Sequence, residues 1–335
     1  MNGLLFDLGG TYLRAGVLDH DGRIQAVART RIANVADGLT SDLIWERITD
    51  TMLEYEHQHR SRVAEDAPVV ISFPGPIGRG RKILQAPTVA GAEDRTFDLP
   101  GEVARVTGRR VEVLNDVSAA AWLLAEATSA QRFLVVTVSS GIGSKLFDRC
   151  HASGVLDFPP HAGEIGHVVV DDSVDAPLCD CGGRGHLGAT ASGRGIERII
   201  RREALARPLL FQQSACVQHF GADAENLNNE EHIVPAALHG DAWVAGIVRD
   251  CTRPLVRSLL TVAMAVGLEK IFVMGGFANA LGSWYLALLR DLASELSRYD
   301  VARRNLDELF EGMPVQHETS LEGCAAFLRS GRLRA

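Results

Sequence analysis

Two stretches of this chain, far apart in sequence, share one plan. Gly3–Asp7 reads as a short apolar strand, Gly9-Gly10 as a turn, and Leu13–Leu18 as the strand that leaves it. Phe133–Val138 is again an apolar strand, Gly141–Gly143 a turn, and Lys145–Asp148 the departing strand. Asp19-His20-Asp21-Gly22 folds the first pair into a third strand, Ile24–Ala28, and a meander of this kind is antiparallel. A repeated strand–turn–strand opening predicts two similar α/β lobes with a cleft between them.

The elements between and after these openings fit that plan. Helical spacing covers Leu39–His59, a buried strand Pro68–Phe73, a short helix Glu102–Val106, a strand Val111–Leu114 and an Ala-rich helix Val117–Ala127. Further on come helices at Ile196–Ala206 and Ala242–Val266, a strand Lys270–Met274, then helices Ser283–Ser297 and Ser320–Ser330. Residues 207–232 show no period and read as a mobile loop or cap. The expected division is 1–116 with 317–335 as a small lobe and 117–316 as a large one, the final helix returning to the first lobe.

At 335 residues, with 46% apolar and 23% charged, the chain has ordinary globular composition. A net charge of −8 without any Lys/Arg run excludes nucleic acid as a partner. The longest apolar run, Leu259–Leu268, is too short to span a bilayer, so no membrane is expected. The N-terminus opens directly on a strand, with no signal-peptide pattern. Six scattered cysteines are no disulfide framework, and a reducing cytoplasm is the expected setting.

The chemistry falls on the turns. Asp7-Leu8-Gly9-Gly10-Thr11 places an acid at a strand end, then two residues without side chains, then a hydroxyl. Glycines let backbone N–H groups approach phosphate oxygens, and Thr11 adds a donor. Ser139-Ser140-Gly141-Ile142-Gly143 repeats the arrangement. It is neither a Walker loop nor a dinucleotide fingerprint. Two such turns would clamp a polyphosphate from both sides; ordinary Gly-Gly hairpins account for the same letters. Asn115-Asp116 ends a strand and opens a helix, a usual place for a catalytic group in α/β sheets and equally a favoured helix cap.

One segment carries its own signature. Between His161 and Gly193 stand His167, Cys179, Cys181 and His186, with Gly182, Gly183 and Gly185 among them. Two thiolates and two imidazoles on a glycine-rich backbone are what tetrahedral zinc requires. Four protein donors leave no open position, so such a metal is structural.

Together, Asp7-x-Gly-Gly-Thr11, Pro74-Gly75-Pro76, Asn115-Asp116, Ser140-Gly141-x-Gly143, Gly163-Glu164-x-Gly166-His167, Cys179-x-Cys181-Gly-Gly-x-Gly185 and Gly275-Gly276 resemble the ROK sugar kinases of the actin-like ATPase superfamily. The resemblance runs to Gly323-Cys324-Ala325-Ala326, nearly the whole chain. It implies two actin-like, ribonuclease H-like lobes with the active site in the interlobe cleft, and a homodimer. Asp116 would be the general base that takes a proton from a primary sugar hydroxyl attacking the γ-phosphate of ATP. Asn115, Glu164 and His167 would hold ring hydroxyls, His167 binding zinc through its other nitrogen, while Gly75 and Thr88 belong to a substrate loop. Asp7, Gly9, Gly10, Thr11, Ser140, Gly141 and Gly143 would surround the phosphates with Mg²⁺, and Gly275 and Gly276 would face adenosine.

Three departures stand out. His186 occupies the place of a third Cys, with His161 as a rival ligand. Gly188 stands where the family usually has a Glu gripping hydroxyls near the anomeric carbon, and Thr88 where Asn commonly follows Pro. The expected acceptor is therefore a small molecule other than plain glucose: an amino sugar, a ketose or a C7 cyclitol. Other family members are sugar-responsive repressors, but no helix-turn-helix module precedes the first strand here. A silent sugar-binding member is the remaining alternative, against which Asp116 and both turns argue.

Overall fold

The computed structural model describes residues 2–78, 81–86, 89–91, 96–297, 306–313 and 319–332. Pro87 and Thr88 lie outside them. The chain divides into two compact units. The first is Met1–Ser129, Phe147–Ala162 and Gln316–Ala335; the second is Ala130–Leu146 and Gly163–Val315.

In the first unit, β1 (Gly3–Leu8), β2 (Tyr12–Leu18) and β3 (Ile24–Arg31) form the expected meander, and β4 (Val69–Phe73) and β5 (Val111–Asn115) extend it. The order is β3-β2-β1-β4-β5. The pairs β1–β4 and β4–β5 are parallel, with Asp7 opposite Ser72 and Phe73 opposite Asn115. The C-terminal ends of β1, β4 and β5 therefore share one sheet edge. Every residue of β1 and β4 is buried, as parallel strands covered on both faces must be. Helix α1 (Ser41–His59) buries Ile44, Trp45, Ile48, Met52 and Tyr55, one stripe at helical spacing. Helix α2 (Leu99–Thr107) precedes β5 and α3 (Asp116–Ala127) follows it.

In the second unit, β6 (Arg132–Val138), β7 (Ile142–Asp148), β8 (Lys270–Met274) and β9 (Phe310–Gly312) form a sheet in the order β7-β6-β8-β9. The helices that follow are α4 (Leu187–Ala191), α5 (Gly193–Ala206), α6 (Pro208–Gln213), α7 (Ala215–Gln218), α8 (Val234–Leu238), α9 (Ala242–Val266), α10 (Gly276–Leu281), α11 (Ser283–Leu296) and α12 (Leu306–Leu309). The last described helix, α13 (Thr319–Arg329), belongs to the first unit. Among the described residues, no helix is long and apolar enough to cross a membrane.

Three expectations change. Residues 207–232 are not a loose cap: they hold α6, α7 and the start of a π turn, Asn229–Ile233. Phe211, Cys216 and Leu227 are buried there, apolar anchors scattered too irregularly to show a period. β7 begins at Ile142, so Gly143 lies in the strand and not in the turn. The first unit also reaches beyond Asp116, because α3 packs on α13 and the returning segment at Phe147 packs on α3. Trp122 meets Phe147 and Phe327 edge-on, at 5.1 and 5.4 Å between ring centroids. Arg149 donates to the carbonyl of Ala125 at 2.6 Å.

The α3–α13 contact is backbone against backbone. A Cβ at Gly323 would stand 2.2 Å from the Ala119 carbonyl oxygen. Ala is favoured over Gly by about 1 kcal/mol in a helix interior, but a clash with a fixed carbonyl has no rotamer that relieves it. Gly323→Ala is therefore expected to lower stability by about 2 kcal/mol, read as a lower urea midpoint at unchanged m-value.

Candidate active site

In the first unit the site residues gather where β1, β4 and β5 end. The Gly9-Gly10-Thr11 turn is closed by the Gly9 N–H donating to the Tyr12 carbonyl at 2.9 Å. Asn34 anchors it from outside, its Nδ2 donating to the Gly10 carbonyl at 2.8 Å. Asp7 beneath the turn is 8% exposed and pairs with Arg14 at 2.9 Å across β1–β2. Burial raises its carboxyl above the usual range, against the opposing pull of Arg14 and of the Ser72 and Ser320 hydroxyls.

Asn115 and Asp116 stand side by side at the start of α3. Asn115 is the helix cap: its Oδ1 accepts the Val117 N–H at 3.0 Å, while its Nδ2 donates to the Gly75 carbonyl at 3.0 Å. Asp116 is the first residue of α3, half-buried, with Oδ1 accepting the Val117 N–H at 2.9 Å. Gly75 is required by space, since a Cβ there would lie 2.5 Å from the Phe73 ring and 2.8 Å from the Gln85 carbonyl.

In the second unit, the turn after β6 is closed by the Ser139 N–H donating to Gly141 at 2.9 Å, and a Cβ at Gly141 would meet nothing. Gly275 closes β8 with φ +106, and a Cβ there would lie 2.6 Å from the Val138 carbonyl. Gly276 opens α10, so Ser140, Gly141 and Gly276 stand at neighbouring strand ends. Ser139, Ser140, Gly193, Arg194, Asn229, Gly276 and Phe277 border a cavity of about 500 Å³. Gly193, Arg194 and Asn229 were not legible as part of it. Asn229 arrives from the π turn and donates to the Gly193 carbonyl at 2.8 Å.

The run Gly163-Glu164-Ile165-Gly166 lies directly on β7. A Cβ at Gly163 would stand 1.8 Å from the Ser144 carbonyl oxygen, and one at Gly166 2.2 Å from that of Ile142. Only hydrogens fit at either place, and the Ser144 N–H donates to the Gly163 carbonyl at 2.8 Å. Glu164 is thus held between two backbone contacts, half-buried, immediately before the short turn Ile165–His167.

His167, Cys179, Cys181 and His186 come together, their donor atoms all within 4.8 Å of one another. His161 is not among them. The two histidine Nδ1 atoms are 3.4 Å apart, Cys181 Sγ is 3.3 Å from His186 Nδ1, and Cys179 Sγ is 3.9 Å from His167 Nδ1. Donors about 2.1 Å (nitrogen) and 2.3 Å (sulfur) from one ion have tetrahedral edges of about 3.3 to 3.8 Å. The spacing fits a metal ion. Cys179 N–H to Gly183 at 2.8 Å and Gly182 N–H to Cys179 at 2.9 Å fold the knuckle between the thiols. Gly183 is needed because a Cβ would stand 2.4 Å from the His186 ring. Asp180 ties the knuckle to α5 through Arg194 and, at 2.7 Å, Arg198. Burial, with Cys181 beside it, raises the Cys179 thiol, a shift that a bound cation would reverse. At Gly188 a Cβ would meet the Gly166 carbonyl at 3.2 Å.

Comparison with known proteins agrees with this arrangement. The chain matches the ROK family over residues 4–325. It is 37% identical over 292 residues to the C(7)-cyclitol 7-kinase of Streptomyces hygroscopicus subsp. limoneus, covering 85% of this chain and 82% of that protein. It is 30% identical over 281 residues to the glucokinase of Thermotoga maritima, covering 82% and 81%. The ROK family glucokinase of Streptomyces griseus, solved with glucose and AMPPNP, superposes with a TM-score of 0.71 over 99% of this chain and 100% of that one, at 22% identity. The two-sheet α/β fold and these relatives define the class: the chain belongs to the ROK family. Within it, the chain is an ATP-dependent kinase.

The state of Asp7 can be read from stability. Its folded carboxyl titrates above its ordinary 3.8, so its contribution is full below that value and is lost as pH rises through the folded one. The stability of the parent minus that of Asp7→Asn is therefore expected to fall as pH is raised upward from about 4, measured as thermal midpoints across that range.

Proposed function

We propose that this chain transfers the γ-phosphate of ATP to the exocyclic primary hydroxyl of a C7 cyclitol, with Asp116 as general base. The observation that carries the choice of acceptor is Gly188. A side chain that grips hydroxyls beside an anomeric carbon is missing there, and a carbocycle has no anomeric carbon to grip. Losing one hydrogen bond to a charged acceptor costs about 1.5–3 kcal/mol, roughly 10- to 150-fold against glucose. The higher identity to a cyclitol kinase than to a glucokinase points the same way.

Asp116 takes the hydroxyl proton as the oxygen attacks phosphorus, because an alcohol is otherwise too weak a nucleophile at neutral pH. Asn115 keeps one N–H and one lone pair beyond its bonds to Gly75 and Val117, and these hold a ring hydroxyl. Glu164 accepts from further hydroxyls, and His167, whose Nδ1 is turned to the metal donors, offers Nε2 to another. Gly75 borders the acceptor. Backbone N–H groups at Gly10 and Gly141, with the Thr11 and Ser140 hydroxyls, surround the phosphates; Gly9 closes the first turn, Gly143 lies in β7 beside the second, and Asp7 holds the first turn from beneath. Gly276 lines the cavity beside α10, which would take adenosine, and Gly275 turns the chain from β8 into α10. Mg²⁺ accompanying ATP supplies neutralisation of phosphate charge. His167, Cys179, Cys181 and His186 would hold Zn²⁺, which when bound supplies a rigid cross-link of the loop. The reaction belongs in the cytoplasm, where both thiols stay reduced. Leu205, Leu209 and Leu210, exposed around the α5–α6 corner, offer apolar surface that a homodimer would cover.

Two outcomes are expected in an ADP-release assay. Asp116→Asn lowers kcat by about 10²- to 10⁴-fold with the KM for ATP little changed. Offered separately, a C7 cyclitol such as a valiolone exceeds glucose in kcat/KM by about tenfold or more; glucose as the better acceptor would remove the cyclitol assignment.

A further inference from the structure

A buried ionic group in the first unit lies outside the residues given roles so far. Arg81 follows the acceptor segment that starts at Pro74-Gly75, and its backbone has φ +61, a left-handed conformation in a residue with a Cβ. Among the described residues the other such case is Ala26, which sits at the register shift between β2 and β3. Arg81 stands in the turn between the bridged residues Ile77 and Ile83, its N–H donating to the Gly78 carbonyl at 3.1 Å, and a short hairpin turn commonly takes a left-handed residue there. That turn directs the Arg81 side chain toward two acids.

The Arg81 side chain is 15% exposed and forks between two acids that are more buried still. Nε lies 2.7 Å from Glu112 Oε1 and Nη1 3.1 Å from Asp157 Oδ2, those side chains being 11% and 6% exposed. The same Asp157 oxygen accepts the Ser118 hydroxyl at 3.1 Å. Ser118 is fully buried on α3, two residues past Asp116, and Glu112 is on β5, three residues before Asn115. At the other end, the Gly75 carbonyl takes the Asn115 Nδ2–H at 3.0 Å. The chain is therefore fastened at Gly75 and again at Arg81, both times to the strand–helix junction that carries Asn115 and Asp116. Nη1 makes the directed hydrogen bond, to Asp157, while Nε faces Glu112 as an ion pair without hydrogen-bond geometry, and a buried ion pair is intolerant of losing one member.

We propose that Arg81 is a positioning residue for phosphoryl transfer: its forked ion pair with Glu112 and Asp157 locks the acceptor segment onto the junction that presents Asp116. This rests on Asp116 being the base. A small misplacement of the acceptor hydroxyl slows transfer steeply, whereas nucleotide binding does not depend on this lock.

The test is steady-state kinetics of Arg81→Met and Arg81→Lys beside Asp116→Asn, with the C7 cyclitol and ATP varied in turn. Arg81→Met is expected to lose about tenfold or more in kcat/KM for the acceptor, with the KM for ATP within about twofold of the parent. Arg81→Lys, which keeps the charge but not the fork, recovers part of that loss. Parent-like acceptor kinetics in Arg81→Met, whatever its melting temperature, would overturn the proposal, as would a loss that falls equally on ATP. If Arg81→Met does not fold, Arg81→Lys decides: a raised acceptor KM supports the lock and an unchanged one refutes it. An active Asp116→Asn would instead mean that the base assignment has failed.

Discussion

The contact on which the acceptor side of this protein depends is a backbone-to-backbone approach. Gly163 and Gly166 lie so close to the carbonyls of Ser144 and Ile142 that no side chain fits between them. Glu164 is carried between these two points and His167 immediately after them. A loop without regular secondary structure would ordinarily be among the mobile parts of a fold. This one is seated on a central strand at one end and gathered into a four-donor cluster at the other. Functional groups on such a loop hold their geometry as if they stood on a helix.

The charged groups of the first unit obey a related logic. Asp7 is buried under the Gly9-Gly10 turn and steadied by Arg14, so that it supports the turn across β1 and β2. Arg81 performs the same service between β5, α3 and the acceptor segment. Asp116 differs from both: it stays half-buried at the first position of a helix. Under the proposed roles, the supporting charges are buried and the base is partly exposed.

Much of this was legible in the residues because glycine and cysteine are punctuation with few alternative meanings. The Gly-rich openings stand at strand ends, apart from Gly143, which lies in β7; Asn115-Asp116 stands at a strand–helix junction; and His167, Cys179, Cys181 and His186 lie together without His161. What stayed hidden has a common cause. The helices in 207–232 are anchored by isolated apolar residues such as Phe211 and Leu227, too sparse to leave a period. The extension of the first unit through Ser129 depends on α3 meeting α13, two segments that no local pattern connects. Arg81 and Asp157 are likewise far apart in sequence, and an ion pair at such separation leaves no trace in either neighbourhood. Tertiary partners decided these points, whereas turns and caps are written locally.

We propose that a metal ion held by His167, Cys179, Cys181 and His186 would fix Glu164 and His167 for the acceptor. Calorimetric titration of a C7 cyclitol into metal-loaded protein, and into protein stripped by a chelator and checked for retained fold, tests it most directly. Acceptor affinity should fall by about tenfold or more on stripping while AMPPNP affinity is retained, as expected when a supporting ligand shell is lost. Equal acceptor affinity in the two forms would contradict it.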